Sequence, residues 1–335
     1  MSRLTVFVGL DYHQDSVQVC VLDSQGKQLV NATRPNHWQE IAEVVPAGAV
    51  VFAGIEACCG SASLADELSN QAGWSIDLAH PGYVARIKQS PDKTDFSDAR
   101  LLADLVRVGY LPKVWLAPEY VRELRRLVRF RTQLANERRN VKLRLRALLR
   151  DHRVRPPVEL NAWTKAWRSW VQGCQELGET SRWIADRHLS RLDSLEAEIR
   201  EVEQRLETQT EEDPLVQKLL EQDGIGLITA TTMRAEIGRF DRFRSGKQLA
   251  RFCSVTPRNA SSGKRQADAG LIRAGNPELR RVLIEAAHRL KYRSEIWSQF
   301  AERMKERGKP ACVIAAAIAN RWVRGLYYDM RTAAA

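Results

Sequence analysis

Over the first hundred residues, apolar and polar positions alternate in short runs. "TVFVGLDYH" alternates, is rich in β-branched residues and predicts a strand ending near Asp11. "SVQVCVLDSQGKQLV" holds two alternating runs around Ser24-Gln25-Gly26-Lys27, the pattern of a hairpin. "AVVFAGIEA" is an apolar strand ending at Glu56, and "WSIDLAH" is a further strand. Between them, "HWQEIAEVV" predicts a short helix, and "SASLADELSNQAG" predicts a capped helix closed by Gly73. A hairpin followed by strands alternating with helices predicts a mixed sheet with helices against it. We assign this α/β domain to residues 1–115.

From Pro118 the period changes to that of a helix. Leu124, Leu127, Leu134, Val141, Leu145 and Leu148 form one stripe, with arginine at most other positions, and Pro156-Pro157 ends the pattern. Trp163, Trp167 and Trp170 lie in a short amphipathic piece and read as packing residues rather than base-stacking ones. Leu189, Leu192, Leu195, Ile199, Val202 and Leu206 then recur at spacings of three and four, which is heptad-like and predicts a coiled coil within the chain or between protomers. These features define a helical coiled-coil region over 116–212, Arg-rich at 119–155. The remainder, 213–335, predicts a mainly α-helical domain with one loop, "TPRNASSGKRQADAG". Near its start, Gly224-Ile225-Gly226 joins two helical stretches. It reads equally as a plain helical turn or as a helix-hairpin-helix whose amides hold a phosphate.

Charge adds a partner. The net charge is +11, but 1–115 carries −4 and 156–256 carries −3, while 119–155 and 257–335 carry +9 each. Two strongly basic segments beside an acidic domain point to a polyanion, because each neutralised phosphate releases counterions. Arg125, Arg129, Arg138, Arg139, Lys142 and Arg146 on the long helix, and Arg258, Lys264 and Arg265 around the loop, are the candidate nucleic-acid contacts. No apolar run reaches the roughly 20 residues that span a bilayer, and the N-terminus lacks the order of a signal peptide, so a cytoplasmic protein with no membrane partner is expected. Six cysteines without CxxC spacing read as free thiols in a reducing compartment.

The chemistry candidates are four carboxylates. Asp11 and Glu56 close apolar strands, a costly place for charge unless something pairs it. Asp95 and Asp98, three apart in "DKTDFSDARLLADL", read either as first-turn acids complementing a helix dipole or as half of a metal site. Converged, the four would suit Mg2+, which takes a few carboxylates and completes its shell with water or phosphate oxygens. Such a site serves phosphoryl transfer. Asp11-Tyr12-His13 has no second histidine at ligand spacing, and no HExxH, P-loop or GxSxG motif is present. Ser261-Ser262-Gly263 among Arg258, Lys264 and Arg265 reads either as a turn with a solvated basic rim or as a nucleophile on phosphorus, and chemistry alone leaves open which serine oxygen would attack.

"GLDYH", "GIEACCG", "DKTDFSDARLLADL" and "TPRNASSGK", in this order over nearly the whole chain, resemble the DEDD transposases of the insertion-sequence one-ten family, which includes Piv-type DNA invertases. The family pattern is an Asp ending the first strand, then Ile-Glu-Ala-Thr-Gly, then Lys-Thr-Asp-x-x-Asp-Ala, then Gly-Leu-x-Pro-Arg and a Ser-Gly. Here Cys58-Cys59 stands for Thr-Gly, and Ser254-Val255 for the Gly-Leu. The resemblance implies a RuvC-like (RNase H-like) N-terminal domain, a coiled-coil middle and a C-terminal transposase domain. It implies that Asp11, Glu56, Asp95 and Asp98 hold Mg2+ (or Mn2+) and that Ser262, before Gly263, is the nucleophile forming a phosphoserine link to DNA. It further implies donor and target DNA as substrates, a structured noncoding bridge RNA as guide, a homotetramer built as a dimer of dimers, and a bacterial protein associated with the nucleoid when active. The alternative is a RuvC-like structure-specific endonuclease using metal-activated water and only the carboxylates.

Overall fold

The computed structural model describes residues 3–88, 94–259 and 268–331, and the chain forms two compact units divided between Ala117 and Pro118. The first unit runs β1 (Thr5–Tyr12), β2 (Ser16–Leu22), β3 (Gln28–Pro35), α1 (Trp38–Ala42), β4 (Val50–Glu56), α2 (Ser61–Ala72), β5 (Ser75–Ala79), α3 (Pro81–Ile87), α4 (Asp95–Arg107) and β6 (Lys113–Val114). Its six-stranded sheet has the order β3-β2-β1-β4-β5-β6. β1, β4 and β5 are parallel neighbours, while β2 is antiparallel to β1 and to β3. The expected mixed sheet is therefore present.

The alternation in β1 is the cause of its place. Val6, Val8 and Leu10 are fully buried and join Val17, Val19 and Val21 of β2 and Val51, Ala53 and Ile55 of β4 in one core. The opposite face of β1 meets α4. A Cβ on Gly9 would stand 1.9 Å from the Ala99 carbonyl oxygen and 2.4 Å from the Ala103 nitrogen, so only glycine allows the helix this close. The second contact face joins Cys20 and Leu22 of β2 to Ala99 and Ala103 of α4, whose small alanines let the helix lie close to the sheet. The cap of α2 departs from expectation at its start: Gly60, at φ 91°, precedes the helix without a side-chain cap, whereas Gly73, at φ 71°, closes it as predicted.

The second unit runs α5 (Glu119–Asp151), α6 (Lys165–Gln172), α7 (Glu179–Thr210), α8 (Pro214–Leu220), α9 (Leu227–Ile237), α10 (Gly246–Phe252), β7 (Pro257–Asn259), β8 (Asp268–Leu271), α11 (Pro277–Arg293), α12 (Glu295–Glu306) and α13 (Ala311–Arg331). α5 and α7 lie antiparallel, as Arg131 pairs with Glu203 at 2.6 Å while Glu137, further along, pairs back with Arg191 at 3.3 Å. Leu189, Leu192, Leu195, Ile199, Val202 and Leu206 are all buried against α5 of the same chain. On α5 the stripe is shifted: Val128 and Leu149 are buried, and Leu127 and Leu148 only half so. α5 ends at Asp151 and the chain turns at Arg153, whose φ is 58°, before the prolines that sequence marks as the stop. Trp167 is buried and in contact with Trp163 at 4.6 Å between ring centres, in keeping with a packing role.

A separate core joins α8 to α13, with Phe240, Tyr327 and Met330 at full or near-full burial. α8 and α9 are joined by a turn at Gly224-Ile225-Gly226, held as Arg289 Nε donates to the Gly224 carbonyl at 2.9 Å and Nη2 to Thr229 Oγ1 at 3.0 Å. The "TPRNASSGKRQADAG" stretch is corrected in part. Its flanks are not loop: Pro257 pairs with Leu271 and Asn259 with Asp268 in a two-stranded antiparallel ladder. Among the described residues no helix is long and apolar enough to cross a membrane, and all six cysteines are free thiols.

Candidate active site

Asp11 and Glu56 reach one edge of the sheet by register. β1 and β4 are parallel and their last paired couple is Leu10 with Ile55, so the next residue on each strand is the carboxylate. The core alternation buries Leu10 and Ile55 and leaves the strand ends at the C-terminal rim, where open α/β sheets carry their sites. α4 brings the other pair. Thr94 caps it, its hydroxyl accepting from the Ser97 amide at 3.2 Å, and Asp95 and Asp98 fall in the first turn. Because Gly9 fixes the contact between β1 and α4, the start of α4 is held against the end of β1.

The other three carboxylates act on Asp11. Burial pushes the Asp11 carboxyl above its ordinary value; His13 opposes this, and the negative charges of Asp95, Asp98 and Glu56 reinforce it. Asp98 is ion-paired with Lys88, and both side chains are largely buried. His13 Nε2 lies 3.6 Å from Asp11 Oδ2 and 3.3 Å from Asp95 Oδ2. One ligand atom from each of Asp11, His13 and Asp95 falls within 4.8 Å of the others, so two hard oxygens and an imidazole nitrogen can share one divalent ion. The donor set fits a metal.

The loop after Glu56 is fixed by the Ser61 hydroxyl. Ser61 Oγ accepts from the Cys58 amide at 3.0 Å and donates to the Cys58 carbonyl at 2.9 Å. Gly60 lies so close to Tyr12 that a Cβ would meet the phenol oxygen at 2.1 Å. Cys58 and Cys59 are both exposed.

Sequence alone set His13 aside for want of a second histidine. The available signal was its closeness in sequence to Asp11, just past the end of β1. Lys88 carried no signal, because its partner Asp98 is fixed only by how α3 and α4 pack. Asp104, near the motif, pairs with Arg107 at 2.7 Å.

The basic candidates divide. Arg125 donates from Nε and Nη2 to the Ala235 carbonyl at 3.1 and 3.0 Å, and Arg129 grips Glu236 with two bonds of 2.9 and 3.1 Å. Glu236 is 2% exposed and also accepts from Asn276 Nδ2 at 2.6 Å; both arginines hold this buried acid, Arg129 with its side chain still more than half exposed. Arg138, Arg139, Lys142 and Arg146 line an open groove of about 270 Å³ with Trp163. Lys142 and Arg146 lie over the indole at 5.0 and 5.2 Å from its centre. Arg258 is exposed on β7. Ser261, Ser262, Lys264 and Arg265 lie outside the described residues, as do Asp92 and Lys93.

The mixed sheet thus brings strand-borne Asp11 and the first turn of α4 together, while among the described residues Glu56 and Asp98 lie outside the group formed by Asp11, His13 and Asp95. Residues 8–153 match a family model described as "Transposase" (DEDD_Tnp_IS110), and residues 216–304 match "Transposase IS116/IS110/IS902 family". The first span holds Asp11, Glu56, Asp95 and Asp98, and the second holds the serine segment. The chain belongs to this IS110 family of transposases, enzymes that cut and rejoin DNA. Similar proteins include a probable family 20 transposase of Pseudomonas aeruginosa, 28% identical over 80% of this chain and 81% of that protein. The transposase for insertion sequence element IS1328 of Yersinia enterocolitica is 25% identical over 95% of this chain and 94% of its own. That for IS1111A of Coxiella burnetii is 24% identical over 84% and 77%.

Proposed function

We propose that this transposase cuts and rejoins donor and target DNA through a phosphoserine intermediate at Ser262, with a divalent metal, Mg2+ or Mn2+, held by Asp11, Glu56, Asp95 and Asp98. The observation that carries the reading is the meeting of strand-borne Asp11 with the first turn of α4 at one sheet rim, with the charge of Glu56 felt there too. The strand order β3-β2-β1-β4-β5, with β2 antiparallel and β4 parallel to β1, supports an RNase H-like, RuvC-like fold for 1–115.

Ser262 Oγ forms a bond to phosphorus while the bond from phosphorus to a deoxyribose oxygen breaks. The serine proton is released and the departing oxygen takes one up. The ester keeps the bond energy, so a second DNA hydroxyl can reverse the step and displace the serine. A bound divalent ion supplies charge neutralisation at the phosphate and its leaving oxygen. Asp11 and Asp95 would help to hold that ion, and Lys88 pairs with the Asp98 carboxylate. Arg138, Arg139, Lys142, Arg146 and Arg258 hold backbones, while pairing to a bridge RNA selects sequence. The protein acts as a tetramer, with domain divisions at 116 and 213 and a coiled-coil role for α5 and α7, in a bacterial cytoplasmic, nucleoid-associated setting.

A strand-exchange assay tests the reading. Ser262→Ala should abolish joined product and retain DNA binding. Wild-type joining by that variant would refute the serine assignment, and normal cutting without joining would favour the hydrolytic endonuclease, which needs only the carboxylates.

A further inference from the structure

We propose that His13 is a metal ligand of this centre and biases it toward transition-metal ions over Mg2+. The inference rests on the carboxylate metal site proposed above, and adds a nitrogen donor that the four-carboxylate pattern does not contain.

The imidazole stands where a ligand would. Nε2 lies 3.3 Å from Asp95 Oδ2 and 3.6 Å from Asp11 Oδ2, and the three atoms form one compact group. Adjacent ligands of an octahedral ion with bonds of about 2.1 Å lie about 3 Å apart, so a small inward movement closes this spacing around an ion. The backbone of His13 is anchored from outside the group. Its amide donates to the Ser16 carbonyl at 2.9 Å, closing the β1–β2 turn. Asn36 Nδ2 donates to the His13 carbonyl at 3.1 Å and to the Gln14 carbonyl at 3.0 Å, tying the turn to the end of β3. The side chain is half-exposed, so ring rotation toward an ion displaces no core residue.

The chemistry sets the direction of selectivity. Mg2+ prefers oxygen and keeps its waters, whereas imidazole strengthens binding along the first-row series from Mn2+ upward. A site with His13 engaged therefore gains more for Mn2+ or Co2+ than for Mg2+. The competing role is a polar partner of the carboxylates that is expelled when metal enters. That role predicts the opposite effect of removal, because the variant would lose a competitor.

The experiment uses the full-length metal-free protein with Mn2+ as the probe. Binding is followed by electron paramagnetic resonance of free Mn2+, with Mg2+ measured by competition. Pulsed resonance reads nitrogen coupling to the bound ion, and circular dichroism melts verify folding. Wild type should show imidazole nitrogen coupling that disappears in His13→Ala. Since loss of an outer-shell partner alone costs about tenfold, Mn2+ affinity should fall at least that far, and Mg2+ affinity less. Absent nitrogen coupling in wild type, or unchanged or tighter Mn2+ binding in His13→Ala, overturns the proposal. Asp11→Asn and Asp95→Asn separate the two claims. If they lose Mn2+ while His13→Ala does not, the carboxylate site stands and the histidine ligand falls. If they bind as wild type, both fall.

Discussion

Asp11 stores the cost of the site. Burial and three neighbouring carboxylates raise its pKa in the folded state, so between its ordinary value of 3.8 and the raised one the folded chain holds the proton more tightly than the unfolded chain. Stability therefore falls as pH climbs through that window. Metal-free Asp11→Asn should unfold at a higher temperature than wild type at neutral pH while losing metal-dependent joining, a trade of stability for function. Calorimetry with and without Mn2+ measures this, and a lower melting temperature for the variant would contradict it. The positions of the acids were legible in sequence, because Asp11 and Glu56 lie at the ends of apolar strands and Asp95 and Asp98 open a capped helix. The partners of those acids were harder to read. Lys88 reaches Asp98 across a packing contact, and His13 becomes adjacent to Asp95 only once α4 sits on β1.

Elements bring the acids together, and Gly9 shows how narrowly. With the Ala99 carbonyl 1.9 Å from where a Cβ would stand, Gly9→Ala must push α4 away and carry Asp95 and Asp98 with it. Overpacking of this kind costs about 1–3 kcal/mol or more. Mn2+ affinity should drop even in the fraction that folds, which a binding titration checks. In the helical unit, Glu236 is the equivalent pivot, since it is buried and bound by Arg129, Asn276 and Arg125. Removing one partner of a buried ion pair costs about 3–5 kcal/mol. Glu236→Ala should lower the denaturant midpoint accordingly, whereas a surface acid such as Glu302 should change it little. The strands of the first unit were legible because period-two alternation survives burial on one face. β6 has two residues and β7 three, too few to carry a period. The heptad-like stripe of α7 was legible too, but its partner was not, since an apolar stripe fits either α5 or another protomer.

Across the long helix α5, the cations divide by partner. Of the basic residues singled out on α5, Arg125 and Arg129 are engaged with Glu236, which leaves Arg138, Arg139, Lys142 and Arg146 in the groove beside Trp163. Sequence could not divide them, because a cation that satisfies a buried acid looks the same in one dimension as one that meets a phosphate. Replacing those four with glutamine should weaken nucleic-acid binding alike for all sequences. It should also flatten the dependence of log affinity on log salt by about 0.9 for each duplex phosphate that the variant no longer neutralises. An unchanged slope would remove the groove from the binding surface. Under the proposed function, Ser262 and the carboxylate centre together make a covalent link to DNA. The most direct measurement of that link is a denaturing gel of the full-length protein incubated with end-labelled donor DNA and divalent metal. A labelled protein–DNA band should appear with wild type and be absent with Ser262→Ala, with Asp11→Asn, or with chelator. Cleaved DNA free of protein in the wild-type lane, or an adduct that persists in Ser262→Ala, would contradict the account.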